Sequence, residues 1–153
     1  MDWSHYRFRS TWRLDAEPET VYRVLERPDL YPRWWPQVRE VRQTGETTGT
    51  LTFRSLLPYD LTVHARASRQ DPDRRVLEVA MTGDLEGWVR WTVDDGQPGT
   101  RLLFEQEVVV RKALMRLLAL PCRPLFVANH ALMMRSGRRG LLAHLAADTA
   151  HLV

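Results

Sequence analysis

The sequence predicts an α+β chain in which a curved seven-stranded antiparallel sheet wraps around a long C-terminal helix, with two short helices after the first strand (β-α-α-β6-α). Three observations carry that expectation. Residues 5–14 and six later stretches between 38 and 110 alternate apolar and polar side chains with period two, the signature of half-buried strands. Short turn signals such as Asp71-Pro72-Asp73 and Gly83-Asp84 separate the later stretches, and short connections make antiparallel neighbours. Beyond Arg111 the apolar spacing becomes helical and no further strand pattern appears.

In the first strand Tyr6, Phe8, Ser10, Trp12 and Leu14 share one face and His5, Arg7, Arg9, Thr11 and Arg13 the other. Pro18 suits a first helical position, and the acidic residues beside it suit the positive end of the helix dipole. Glu17 stands where a Ser, Thr or Asp cap would serve better, so the capping should be weak. Val21, Val24 and Leu25 form the buried stripe of this helix, and Asp29 opens a second short one that Pro36 ends. Leu30, Tyr31, Trp34 and Trp35 give that small element more apolar area than its length requires.

Strands are expected over 38–44, 50–55, 59–69, 75–81, 85–93 and 100–110. Their inward series are Leu51 and Phe53; Tyr59, Leu61, Val63, Ala65 and Ala67; Leu77, Val79 and Met81; Leu85, Gly87, Val89, Trp91 and Val93; and Leu102, Phe104, Gln106, Val108 and Val110. The closing helical region should fall in two pieces, 113–120 and about 125–147, with Pro121 and Pro124 breaking it between them. The apolar segment 113–134 contains Arg116, Arg123 and both prolines, which argues against a transmembrane span.

At 153 residues the chain fits one domain, 1–153, able to bury about 70% of its unfolded surface. A single cysteine, Cys122, excludes an internal disulfide and a multi-cysteine zinc site. The first residues hold no apolar run of the signal-peptide kind, so the default location is the cytoplasm. The net charge of +3 is unevenly placed: residues 1–110 hold 15 basic and 18 acidic side chains, residues 111–153 hold 7 and 1. The basic closing segment either complements the acidic remainder of its own fold or faces an anionic partner, with peripheral membrane contact one form of that.

Motifs for chemistry are sparse. The five histidines include no HExxH pair, and His130 and His144 stand too far apart to ligate one metal, so no metal is expected. There is no GxSxG elbow, phosphate loop or dinucleotide fingerprint, hence no cofactor expected. Gly137-Arg138-Arg139-Gly140 is basic but lies within the expected helix, and the tryptophans lie elsewhere, which argues against nucleic acid as a partner. Trp88, opposite Trp91, marks a surface that would suit a dimer as well as a monomer.

A strongly curved sheet cannot fill its own concave face, and the closing helix is the one element long enough to cover it. Such a shell leaves room for a cavity. The order of elements resembles the helix-grip domains related to START domains and polyketide cyclases, the SRPBCC superfamily. The resemblance rests on Pro18-Glu19-Thr20-Val21-Tyr22, on Pro28-Asp29-Leu30-Tyr31-Pro32-Arg33-Trp34-Trp35-Pro36-Gln37-Val38, on Gly83-Asp84-Leu85-Glu86-Gly87-Trp88 and on Gly99-Thr100-Arg101-Leu102, followed by the closing helix. It implies a cavity for lipids, sterols, polyketides or other apolar small molecules, with only some members enzymes. No catalytic set carries over residue by residue.

The expected cavity residues are Trp35, Phe53, Val63, Val79, Trp91, Phe104 and Met133 as apolar wall. Ser10, Tyr59, Gln106 and Asn129 are the polar groups on otherwise inward faces, each either bonded to its surroundings or presented to a ligand. The leading expectation is a carrier or sensor of a hydrophobic or amphipathic small molecule. The alternative is a polyketide cyclase or dehydratase, for which His130 and then Tyr59 are the candidate acid or base.

Overall fold

Period-two alternation becomes seven strands in the structure, a computed structural model that describes residues 5–54 and 60–151, with the side chains of 113–122 and 148–151 outside the description. They are β1 (His5–Leu14), β2 (Val38–Gln43), β3 (Thr48–Phe53), β4 (Leu61–Asp71), β5 (Val76–Gly83), β6 (Leu85–Asp95) and β7 (Thr100–Val110). All pair antiparallel in the order β1-β7-β6-β5-β4-β3-β2, so the first strand closes on the last. Helix α1 (Pro18–Leu25), a 3-10 turn (Pro28–Leu30) and the single-turn α2 (Tyr31–Trp34) follow β1, and α3 (Ala113–His151) closes the chain. This is the expected α+β helix-grip architecture.

Register explains which side chains face inward. In β7 burial alternates without a break, with Thr100, Leu102, Phe104, Gln106, Val108 and Val110 buried and the residues between them not. Pairing sets Phe104 opposite Ser10 and Trp91, and Gln106 opposite Phe8 and Val89. A register shift in β4 between Ala67 and Arg69 ends the inward series and turns the strand end toward the rim.

Helix α1 begins at Pro18 with Glu17 as N-cap making no side-chain capping bond, in keeping with the weak cap expected. Its Val21 and Leu25 are fully buried. The aromatic excess of α2 is spent in the core. Trp34 and Trp35 stack with ring centres 5.5 Å apart, and Trp35 and Trp12 both meet Trp91 edge to face.

Helix α3 departs from expectation by running unbroken through Pro121 and Pro124. Proline removes one intrahelical donor and crowds the preceding turn, but its ring fixes φ near the helical value, so the backbone can continue at a cost. The glycines of Gly137-Arg138-Arg139-Gly140 explain how α3 docks. A Cβ at Gly140 would lie 1.5 Å from the Trp34 carbonyl oxygen, and one at Gly137 2.7 Å from the Trp35 ring. Only glycine lets the helix backbone approach this closely. Trp35 Nε1 donates to the Met133 carbonyl oxygen at 2.9 Å and fixes the contact.

Trp88 is half-buried, with the Arg90 guanidinium 4.7 Å from its ring centre. No helix among the described residues is long and apolar enough to cross a membrane.

Candidate functional site

Sheet curvature and the α3 docking contact leave a cavity of about 480 Å³ between them. Its floor is the concave face of the sheet: Phe8 of β1, Phe53 of β3, Val63 of β4, Val79 of β5, Val89 and Trp91 of β6, and Phe104 and Gln106 of β7. Its roof is a stripe of α3, Phe126, Asn129, His130, Met133 and Met134, at the spacing that brings residues to one helix face. Trp35 and Tyr31 close one end.

Among the residues singled out in the sequence, Trp35, Phe53, Val63, Val79, Trp91, Phe104, Gln106, Asn129, His130 and Met133 come together around this space. Ser10 does not. It lies half-buried in β1, between Phe8 and Trp12 in the inward series and opposite Phe104, and is not among the residues that line the cavity. Tyr59 falls outside the described residues. Phe8 and Phe126 were missed as wall residues. Phe8 stands in the inward series of β1, whereas Phe126 stands between the apolar Leu125 and Val127, and the spacing alone does not show which of the three faces the cavity.

The polar centre of the cavity is a pair. His130 Nε2 and Gln106 Oε1 lie 2.8 Å apart, joining α3 to β7. The imidazole stacks on Phe8 with ring centres 3.6 Å apart and planes 6° from parallel, and Phe104 tilts against it at 6.1 Å. Burial disfavours the imidazolium and pushes the His130 pKa down to about 4. At neutral pH the ring is therefore uncharged, and in the assigned orientation Nε2–H donates to the Gln106 amide oxygen. Gln106 and Asn129, two of the four polar groups expected on inward faces, are both 8% exposed. Asn129 directs its amide toward the Met133 sulfur at 4.0 Å.

Charge gathers at the rim. The cavity lining includes Glu26, Arg27 and Asp29 after α1, Glu46 in the β2–β3 turn, Arg69 at the end of β4, and Glu78. Arg27 is held by Asp29 through two hydrogen bonds at 3.2 and 3.0 Å, which also hold the Asp29 carboxyl below its usual range. Arg69 lies 3.5 Å from Asp71, and Glu78 accepts from Arg90 at 2.8 and 2.6 Å. At the closed end Tyr31 donates its hydroxyl to the Leu25 carbonyl, and burial raises its pKa so that it stays protonated. Among the described residues no three His, Cys, Asp or Glu side chains converge as a metal site requires.

The family profile described as polyketide cyclase / dehydrase and lipid transport matches residues 14–133. The chain belongs to this family. Its fold is shared with the Zhui aromatase/cyclase from Streptomyces sp. R1128, at 17% identity, with a TM-score of 0.75 over 93% of this chain and 94% of that one. A START superfamily protein from Mycobacterium smegmatis superposes with a TM-score of 0.71 at 14% identity, over 92% and 97% of the two chains. A protein from Thermus thermophilus does so at 0.74 and 15%, over 91% and 99%. No curated protein sequence matches. Family and fold together suggest hydrophobic-ligand binding or a polyketide cyclase-type role, and identities this low carry the fold rather than a shared reaction.

Proposed function

We infer that this member of the polyketide cyclase and lipid-transport family is a carrier or sensor that holds a hydrophobic or amphipathic small molecule between the sheet and α3. The observation that carries the reading is the cavity itself. Its 480 Å³ falls within the roughly 300–1,000 Å³ of small-molecule sites, and its lining is an apolar wall with a few convergent polar groups. Apolar burial supplies affinity, and the Gln106–His130 pair supplies orientation.

A cyclase or dehydratase reading needs a general acid or base in this space. His130 reaches it, but with a pKa of about 4 the ring is a weak base and almost never an acid at neutral pH. Its bonded partner is a neutral amide, which does not raise that pKa as a carboxylate would. The chemistry of the pair favours holding over turning over. The test is a binding panel of lipids, sterols and polyphenols against protein stripped of bound lipid. Saturable one-to-one binding of at least one class supports the reading, and no binding across the panel refutes it.

A second observation bears on where the ligand is exchanged. Leu125, Val127 and Leu132 are large hydrophobic residues exposed on α3 close in sequence to Phe126, which lines the cavity, with Leu125 and Leu132 seven residues apart on one flank. Exposed Arg135, Arg138 and Arg139 continue the same helix, and residues 111–147 hold no acidic side chain. Apolar side chains flanked by cations on one helix suit a membrane surface rich in anionic lipid, and α3 would rest there while the ligand passes.

A further inference from the structure

Resting on the carrier reading, we propose that the ligand is uncharged and places a hydroxyl or carbonyl group on the Gln106–His130 pair, so that carboxylate amphiphiles such as fatty-acid anions are excluded. Two independent features support this class of ligand: the hydrogen-bonding capacity of the pair, and the charge of the rim.

The bond between His130 Nε2 and Gln106 Oε1 uses one ring nitrogen and the amide oxygen. The Gln106 NH2 group remains as a donor and the bare His130 Nδ1 as an acceptor. If the amide is turned over, His130 Nδ1–H and the second amide N–H are the donors and the amide oxygen the acceptor, so in either orientation the pair offers neutral donors and an acceptor but no cation. A hydroxyl can satisfy both and a carbonyl can take the donor. A carboxylate carries a full charge that neutral donors offset only in part, and desolvating it among Phe8, Phe104 and Val89 without a cation is costly. The stack on Phe8 holds the imidazole in place, so the pair cannot swing aside to admit a cation.

The charged groups at the rim act in the same direction. Asp29 and Glu78 are neutralised by Arg27 and Arg90, and Arg69 is paired with Asp71, which leaves Glu26 and Glu46 as the remaining charges of the lining. An approaching anion meets these carboxylates and, among the described residues, finds no uncommitted arginine in the lining.

The experiment titrates the protein with 1-decanol, 2-decanone and decanoic acid at pH 7.5, read by intrinsic fluorescence, because Trp35 and Trp91 border the cavity. The proposal expects the alcohol and ketone to bind at least tenfold more tightly than the acid. It also expects decanoic acid to gain affinity as the pH falls toward its own carboxyl pKa. Gln106→Leu should weaken decanol about tenfold, the equivalent of one good hydrogen bond, with a smaller effect on decanoate. Should that variant fail to fold, the wild-type comparison and its pH dependence decide alone. Decanoate binding as tightly as decanol overturns the proposal and leaves the carrier reading standing. If no ten-carbon chain binds, whatever its head group, the proposal is overturned, and the panel of lipids, sterols and polyphenols decides the carrier reading separately.

Discussion

Replacing Gly140 with alanine sets two well-measured effects against each other. Alanine is the better helix former by about 1 kcal/mol, so α3 taken alone should gain stability. Yet a Cβ at this position would sit 1.5 Å from the Trp34 carbonyl oxygen and 2.7 Å from its carbon. Ordinary heavy-atom contact is about 3.5 Å, which leaves about 2 Å to be found by moving one backbone away from another. Neither element can give cheaply, since Trp34 is 3% exposed and stacked on Trp35, and Trp35 is bonded to the Met133 carbonyl. Overpacking at the upper end of its usual 1–3 kcal/mol or beyond outweighs the helical gain, for a net loss of about 2 kcal/mol. For a chain of this length that is about 4–8 °C in Tm. Gly137→Ala is the internal control. Its Cβ would meet the Trp35 ring at 2.7 Å rather than a backbone atom at 1.5 Å, so its net cost should be smaller than that of Gly140→Ala. Thermal and urea denaturation of both variants reads the order directly. A Gly140→Ala protein as stable as the parent or more so would refute the close approach of α3 to α2.

His130 makes a pH-dependent contribution whose sign follows from burial. Its folded pKa of about 4 lies below the unfolded value near 6.5, so unfolding takes up a proton between those values and stability falls as pH drops from 6.5 to 4, by about 3 kcal/mol in full. Urea titrations of wild type and His130→Phe from pH 7.5 to 4.5 should show that slope in the wild type alone, and equal slopes would contradict the buried neutral ring. On the outer side of α3, Leu125→Asp with Leu132→Asp should abolish co-sedimentation with vesicles containing phosphatidylserine while leaving Tm within about 2 °C, and wild-type sedimentation independent of anionic lipid content would remove the docking surface.

Strand identity was legible because the information is local. In β1 and β7 the inward residues differ from their neighbours in polarity, and burial against one face imposes period two. Element order then carried the architecture, and the inward series already contained most of the cavity wall. What escaped was long-range. The chain 137–140 reads as a basic patch, and only the position of Trp34 and Trp35 about 100 residues earlier shows why its glycines are needed. Gln106 and His130 were each visible as polar groups on inward faces, but nothing in either segment states that they bond to each other. Ser10 shows the same limit: alternation gives the face of a residue and not whether its side chain borders the cavity. Pro121 and Pro124 misled because a missing hydrogen bond was read as a helix end, when packing of the later turns against the sheet can hold the helix continuous.

Filling the cavity tests its role most directly. Val79 lines the floor and is only partly buried, so Val79→Trp projects an indole into the space without displacing a packed neighbour. The measurement is the affinity of 1-decanol for wild type and Val79→Trp, each first shown to be folded by thermal denaturation. A ligand held between sheet and α3 must lose at least tenfold in affinity while the protein keeps or gains stability. Equal affinity in a folded variant would place the ligand elsewhere and contradict the account.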